Sequence, residues 1–387
     1  VKLRVLLICD LEGWILCTIA RKLSQLLANQ VYITLLVSDT QDFAASLHRL
    51  QRDHDVVHFL SPSDFINWHP LVYRPCVVTL WHRVDWTPFD AHIHRADTLC
   101  VGSRQWLERL EGHVPPNLPV RRPGYGLDTH RFVKDPSART TFLNRVGVPQ
   151  ETLVFGFAGS AQSNEGNRKG LDRMWRCLSR FQQEYPGPFL LRIIGRGWGP
   201  SIIPPELQER VYLEPFIESA NLPHFYSSLD YYLCTSRVEG VPYPVLEAMS
   251  CESVVLSTEV GIVPEIMIDG KNGFLLREGS IERDFLAAMH QTSHDQHLRD
   301  RCGRAARATV VQQRSWEVAV SPQEYEEVYT TARQRYALRS PLERFTLHLQ
   351  SRFAVLVHPI QQAVTGGISF VRSKIRLRSR LRNVKLP

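Results

Sequence analysis

Two acidic side chains, Glu239 and Glu247, stand with seven residues between them in Arg237–Met249, which reads R-V-E-G-V-P-Y-P-V-L-E-A-M. Gly240, Pro242 and Pro244 cannot all occupy a regular helix, because proline lacks an N–H and clashes with the turn before it. From about Tyr243 the composition turns helical, with Val245, Leu246, Ala248 and Met249 as good interior residues. The pattern therefore predicts Glu239 on a loop and Glu247 about one turn into a helix. A helix start carries unsatisfied N–H groups and a positive dipole end, which suits a phosphate. Carboxylates on either side of it can hold the hydroxyls of two sugars, one at each end of a diphosphate. In outline this is a pocket for a sugar nucleotide.

A second set of candidates lies upstream. Gly159-Ser160 closes the apolar run Leu153–Ala158, and Arg168-Lys169-Gly170 follows a polar loop, Ala161 to Asn167. Two cations and a glycine at the mouth of a sheet can neutralise a diphosphate. A solvated basic loop has the same composition, and the glutamate motif aimed at the same place is what favours a site. Gly13, after the first apolar run, lets a backbone approach a ligand, although a simple turn asks for glycine equally well.

The elements that must position these residues alternate. Lys2 to Cys9 reads as a buried strand, with a turn at Leu11-Glu12-Gly13 and a helix from about Ile15 to Leu27. Strands follow at Val31–Val37, Val56–Leu60, Val77–Leu80 and Thr98–Val101, with a helix from about Arg104. The polar stretch from Lys134 to Gln150 reads as a linker. A second series has strands at Leu153–Ala158, Leu190–Ile194, Val211–Leu213, Tyr231–Cys234 and Val254–Ser257. Such alternation implies parallel sheets covered by helices, here two Rossmann-like domains facing each other across a cleft, an α/β fold. Ligands of such sheets bind outside the strand carboxyl ends.

Composition narrows the class. At 387 residues the chain exceeds a single core, and 43% hydrophobic with 22% charged residues is ordinary for a globular protein. No apolar run approaches the ~20 residues that span a bilayer. Asp10 and Glu12 interrupt the first apolar stretch, so it does not read as a signal peptide. The eight cysteines include no C-x-x-C pair, and Cys9, Cys76, Cys100 and Cys234 fall in strand-like runs as small hydrophobes, which points to a reducing, cytoplasmic setting. The net charge of +7 is uneven: residues 341–387 hold nine Lys/Arg against Glu343, which leaves the rest at −1.

Taken together, the motifs resemble those of retaining glycosyltransferases with the GT-B fold, of the family 4 type (glycosyl transferases group 1). The matching segments are C-V-V-T-L-W-H (76–82), R-R-P-G-Y-G-L-D-T-H-R-F (121–132), K-G-L-D (169–172), E-G-V-P-Y-P-V-L-E-A-M (239–249), V-G-I-V-P-E-I-M-I-D-G-K-N-G-F (260–274) and S-W-E (315–317). The resemblance implies that Glu239 contacts the donor sugar and Glu247 the nucleotide ribose. It implies that Gly240, Val241, Pro242, Tyr243, Pro244, Val245 and Leu246 face the sugar and diphosphate, partly through backbone N–H groups. Lys169 is implied on the phosphates and His82 beside the reaction centre. Ser160 stands where the family has an arginine on the diphosphate, with Arg168 as its substitute. Glu252 and Ile262 replace two further family glycines, so donor identity stays open. The domains implied are 1–140 for the acceptor, 141–314 for the nucleotide sugar, 315–336 as helices returning to the first domain, and 337–387 as a basic amphipathic tail.

The chemistry implied is transfer of a sugar from a UDP- or GDP-sugar to a glycan or lipid-linked acceptor. The implied mechanism is front-face, with retention of configuration, no metal and no cofactor. Lys169 and a helix dipole balance the leaving diphosphate without a metal. Asp53-His54-Asp55 is a D-x-D string, but it precedes a strand in the half that does not hold the nucleotide, and reads as two solvated carboxylates. A GT-B epimerase and a catalytically silent sugar-nucleotide binder are the alternatives. An NAD-dependent Rossmann enzyme is a poor fourth reading, because the first strand is followed by D-L-E-G-W and not G-x-G-x-x-G. Phe345, Leu349, Phe353 and Leu356 recur at helical spacing, and the basic residues from Arg372 to Arg382 alternate with period two. Residues 341–387 thus suit an anionic membrane surface, at the inner face of a membrane, better than nucleic acid, for which stacking aromatics are sparse.

Overall fold

The computed structural model describes residues 2–83, 87–161, 168–214 and 217–355. The strands form where β-branched and aromatic residues run without interruption, and they build two six-stranded sheets. The first contains β1 (Leu3–Cys9), β2 (Val31–Val37), β3 (Val56–Phe59), β4 (Cys76–Leu80), β5 (Thr98–Val101) and β6 (Val120–Arg121), in the order β2-β1-β3-β4-β5-β6. The second contains β7 (Leu153–Ala158), β8 (Phe189–Ile194), β9 (Val211–Glu214), β10 (Tyr231–Cys234), β11 (Val254–Thr258) and β12 (Phe274–Leu276), in the order β12-β11-β10-β7-β8-β9. The described pairings are parallel, from Leu3↔Val31 at one sheet to Ala158↔Ile194 at the other. Val5 to Cys9 and the residues of β8 are all buried, as expected of strands covered on both faces.

Strand order locates the site. In the second sheet the chain runs from β7 outward to β8 and β9, then returns to place β10 on the other side of β7. The crevice outside the carboxyl ends of β7 and β10 is therefore a topological switch point, the place where such sheets bind ligands.

By density of contact, the described residues of 1–79, 91–98 and 326–355 form one compact unit, and those of 80–90 and 99–325 another. The second unit is built on Phe155, Phe181, Phe189, Tyr231 and Phe285, with Phe155 stacked on Tyr231 at 5.1 Å. In the first unit, Tyr329 of the Pro322–Ala337 helix meets buried His58, whose Nε2 lies 2.8 Å from Thr79 Oγ1. Burial holds the His58 imidazole neutral, with its pKa lowered to about 3. A further helix spans 341–355. Ser340 and Glu343 cap it reciprocally, each backbone N–H donating to the other's side chain at 2.6 and 3.2 Å. Its inner face is fixed by Leu347 and by Ser351, which donates to the Leu71 carbonyl at 2.6 Å. No helix among the described residues is long and apolar enough to cross a membrane.

Two expectations change. The polar stretch from Lys134 to Gln150 contains a helix, Ala138–Val146, closed by Gly147 at φ 76°. Phe142 and Leu143 anchor it, too few apolar residues to reveal a periodic face in the sequence. Cys9 is not an isolated small hydrophobe. It is disulfide-bonded to Cys17 across the turn from β1 into the Ile15–Leu26 helix, so cysteine usage no longer argues for a reducing setting. The other six cysteines are free and buried. The D-x-D string is structural in part: Asp55 accepts the Arg4 amide at 2.9 Å, and His54 bridges Thr34 and the Leu50 carbonyl. The alternating basic run lies outside the described residues, as does Leu356.

Candidate active site

The loops after β7 and β10 are tied together before any side chain enters the site. Gly170 has φ 65°, and a methyl in place of its hydrogen would lie 2.0 Å from the Thr235 carbonyl oxygen. Only glycine fits there. The Thr235 hydroxyl donates to the Gly170 carbonyl at 2.9 Å, and the Arg237 amide to the Arg168 carbonyl at 2.7 Å. Arg237 then grips Asp172 with both terminal nitrogens, at 2.7 Å each, and this bidentate bond holds the Asp172 carboxyl well below the usual carboxylate range.

That frame delivers Glu239. Its carboxylate is 6% exposed, and Oε1 receives Lys169 Nζ at 2.8 Å, Arg168 Nη1 at 2.9 Å and the Ser236 hydroxyl at 3.0 Å. Burial by itself would raise this carboxyl, but Lys169, Arg168 and His82 outweigh it and lower the pKa to about 2. His82 is therefore within electrostatic reach of Glu239. Lys169 also runs beside Gly159, where a methyl would sit 3.8 Å from its Cε. Ser160 is half-buried at the end of β7, next to Ala161, whose amide donates to the Arg196 carbonyl. The structure thus brings Glu239, Lys169, Arg168 and His82 together. Gly13 belongs to the other compact unit, on an exposed turn after β1 with φ 79°.

Glu247 occupies a different environment. It lies one turn into the Tyr243–Ser250 helix, 7% exposed, and burial raises its pKa to about 7 against the lowering effects of the Tyr226 hydroxyl and Arg131. Tyr226 reaches it from the short Leu222–Ser227 helix. At the helix start, the Val245 and Leu246 amides both donate to the Pro242 carbonyl, at 2.9 and 3.4 Å. Pro242 and Pro244 have no N–H, so neither contributes a backbone donor at this turn.

Sequence reasoning missed the residues that fix the Glu239 loop. Trp106 donates its indole N–H to the Glu239 carbonyl at 2.7 Å. Gln105 bridges the Glu259 carbonyl and the Gly261 amide, and the Ile262 amide donates to the Gly240 carbonyl at 3.0 Å. A methyl on Gly240 would lie 1.8 Å from the Trp81 carbonyl oxygen, so this loop admits only glycine. Glu252 is the one non-glycine with positive φ among the described residues, at 62°. It follows the helix cap, with its amide donating to the Met249 carbonyl and that of Ser253 to Ala248. A glycine belongs in this geometry for conformational reasons. The departure at Glu252 is thus one of backbone strain, at the far end of the helix from Glu239.

Comparison with known proteins bears on the fold and on the second sheet. Residues 152–295 match the family described as Glycosyl transferases group 1. The chain is 26% identical over 232 residues to a D-inositol 3-phosphate glycosyltransferase of Thermobifida fusca, covering 56% of this chain and 51% of that protein. It is 26% identical over 268 residues to a GDP-mannose-dependent alpha-(1-6)-phosphatidylinositol monomannoside mannosyltransferase of Mycolicibacterium smegmatis, covering 62% and 68%. The matches thus span about half to two thirds of those relatives. In fold, it is similar to Anabaena HepE in complex with UDP and glucose (TM-score 0.64, 16% identity, 87% of this chain and 98% of that one). It is also similar to sucrose-phosphate synthase from Thermosynechococcus elongatus (TM-score 0.67, 15% identity, 87% and 100%). The two parallel Rossmann-like sheets are those of the GT-B fold, and the segment similar to the group 1 glycosyltransferases, residues 152–295, encloses the β7–β10 switch point.

Proposed function

We propose that this protein transfers a sugar from a UDP- or GDP-sugar to a glycan or lipid-linked acceptor, with retention and without a metal. The observation that carries the reading is Glu239, a buried ionised carboxylate bonded to Lys169 and Arg168 at the switch point. Glu239 is the group for donor-sugar hydroxyls, and Lys169 with Arg168 the cations for the diphosphate. Arg168 fills the role left open by Ser160. Glu247, once ionised, accepts from the ribose hydroxyls.

In the reaction, the bond between the sugar's anomeric carbon and the phosphate oxygen breaks. The acceptor oxygen forms its bond to that carbon on the same face. The acceptor's proton passes to the departing phosphate oxygen. Glu239 is ionised throughout the neutral range, so it orients the sugar and transfers no proton. Lys169 and Arg168 stabilise the charge that grows on the leaving diphosphate, an effect larger at a buried site than in water. His82, within reach of Glu239, lines the sugar. We place the reaction in the cytoplasm, at the inner face of a membrane where the acceptor is lipid-linked.

The test is thermal denaturation with UDP, GDP, UDP-glucose and GDP-mannose, followed by nucleoside diphosphate release in the presence of acceptor probes. The expected result is stabilisation by one nucleotide class, turnover with its sugar, and loss of turnover but not of nucleotide binding in Glu239→Ala. Absence of stabilisation by every one of these ligands refutes the reading.

A further inference from the structure

The 341–355 helix is amphipathic in an unusual sense, because its packed face is the smaller one. Leu347 and Ser351 face inward, and His348 lies edge-on to Tyr73 at 4.6 Å. On the other side Leu342, Phe345, Leu349 and Phe353 are between 43 and 73% exposed. At 100° per residue these four fall within about 80° of arc, a continuous apolar stripe. Leu338, in the turn before the helix, is 86% exposed and extends it. Single exposed leucines need no explanation, but a stripe of two leucines and two phenylalanines on one helix does.

The helix is also held still. Ser351 Oγ is 2.9 Å from His48 Nδ1, Arg95 donates to Gln350 at 3.1 Å, and Arg339 pairs with buried Asp97 at 2.9 Å. The stripe is thus presented by a fixed support within its own compact unit. Exposed Arg344 and Arg352 accompany it, and Glu343 is engaged as the helix cap. From 356 onward the sequence carries seven further Lys/Arg and no Asp or Glu.

We propose that this face is a docking surface for an anionic lipid bilayer, with the stripe lying in the interface plane. Apolar side chains at the level of the acyl boundary and cations at the level of the headgroups are what such a surface recognises. Charge decides the occupant. Two copies meeting here would oppose like-charged segments, and the chain's own continuation carries the same sign. The inference is independent of the donor site, and its test reads lipid binding and not transfer.

The experiment is co-sedimentation of the full chain with vesicles of phosphatidylcholine alone or mixed with phosphatidylglycerol. It is repeated with L342Q/F345Q/F353Q, whose positions are exposed. A parental circular dichroism spectrum and cooperative thermal unfolding of the triple variant serve as its folding check. The expected result is binding to the mixed vesicles that the triple variant weakens at least about tenfold. Phe353→Cys labelled with an environment-sensitive dye, the natural cysteines being buried or disulfide-bonded, should shift to the blue on those vesicles. Unchanged binding by the triple variant overturns the proposal. So does equal binding to neutral vesicles, a dye already shielded without lipid, or a dimer that the triple variant dissolves.

Discussion

Glu247→Gln separates stability from function at one buried carboxyl. Burial raises the Glu247 pKa from 4.5 to about 7, so in the folded protein the neutral acid is favoured over the ion. For an acid raised in this way, the favourable contribution is complete below the unfolded value of 4.5 and is lost as pH climbs through 7. A shift of that size corresponds to about 3 kcal/mol at the alkaline plateau. Glutamine keeps an oxygen for the Tyr226 hydroxyl and cannot ionise. The variant should match the parent near pH 4.5 and gain stability through pH 7, by roughly 2 kcal/mol between pH 5 and pH 8. For a unit of this size that is on the order of 5 °C in Tm. On the proposed reading the same substitution weakens nucleotide binding at pH 8, since an amide cannot accept from both ribose hydroxyls. Denaturation scans from pH 5 to pH 8, with and without nucleotide, check both halves. A gain that does not change with pH, or a variant less stable than the parent at pH 8, refutes the argument from burial.

Two further perturbations have definite signs. Lys169→Ala leaves Arg168 as the described cation on Glu239 and, on the proposed reading, removes one charge from the leaving diphosphate, so kcat should fall by about 10²–10³. Steady-state rates near the parent value would show that Lys169 serves Glu239 alone. Glu252→Gly relieves a side chain held at positive φ and should stabilise the protein by about 1 kcal/mol, with turnover unchanged. Unaltered Tm would remove strain from the account of that position.

Local chemistry made part of the site legible. Glycine and proline punctuate the chain within a few residues, so Glu239 on its loop and Glu247 on its helix follow from the sequence. The parallel sheets follow too, since ten of the strands declare themselves by their own apolar runs, while β6 (Val120–Arg121) and β12 (Phe274–Leu276) are too short to do so. What binds Glu239 does not. Its bonds to Lys169 and Arg168 exist because β10 lies beside β7, a fact of strand order that no local pattern carries. Trp106, Gln105 and Tyr226 act from sequence distances of more than twenty residues, and each looks like an ordinary helix residue on its own. The Cys9–Cys17 pair spans a strand, a turn and a helix, and its spacing has no motif to announce it. The helix Ala138–Val146 shows the opposite failure, a real element with too little apolar surface to be seen.

The pairing of Glu239 with two cations has a consequence for which ligands the site retains. The two cations carry their own resident counter-anion, so a stray inorganic phosphate must compete with a carboxylate already in place. A nucleoside diphosphate that takes Lys169 and Arg168 leaves Glu239 a buried anion that keeps the Ser236 hydroxyl but has lost both cations, a costly state. A sugar attached to that diphosphate removes the cost, because its hydroxyls donate to the carboxylate the phosphates have displaced. On the proposed reading the site works by exchange of partners, and it favours a ligand carrying both charge and hydroxyls over either half alone. On the same reading product release follows from that exchange: once the sugar has left, Glu239 reclaims its cations and helps expel the nucleotide.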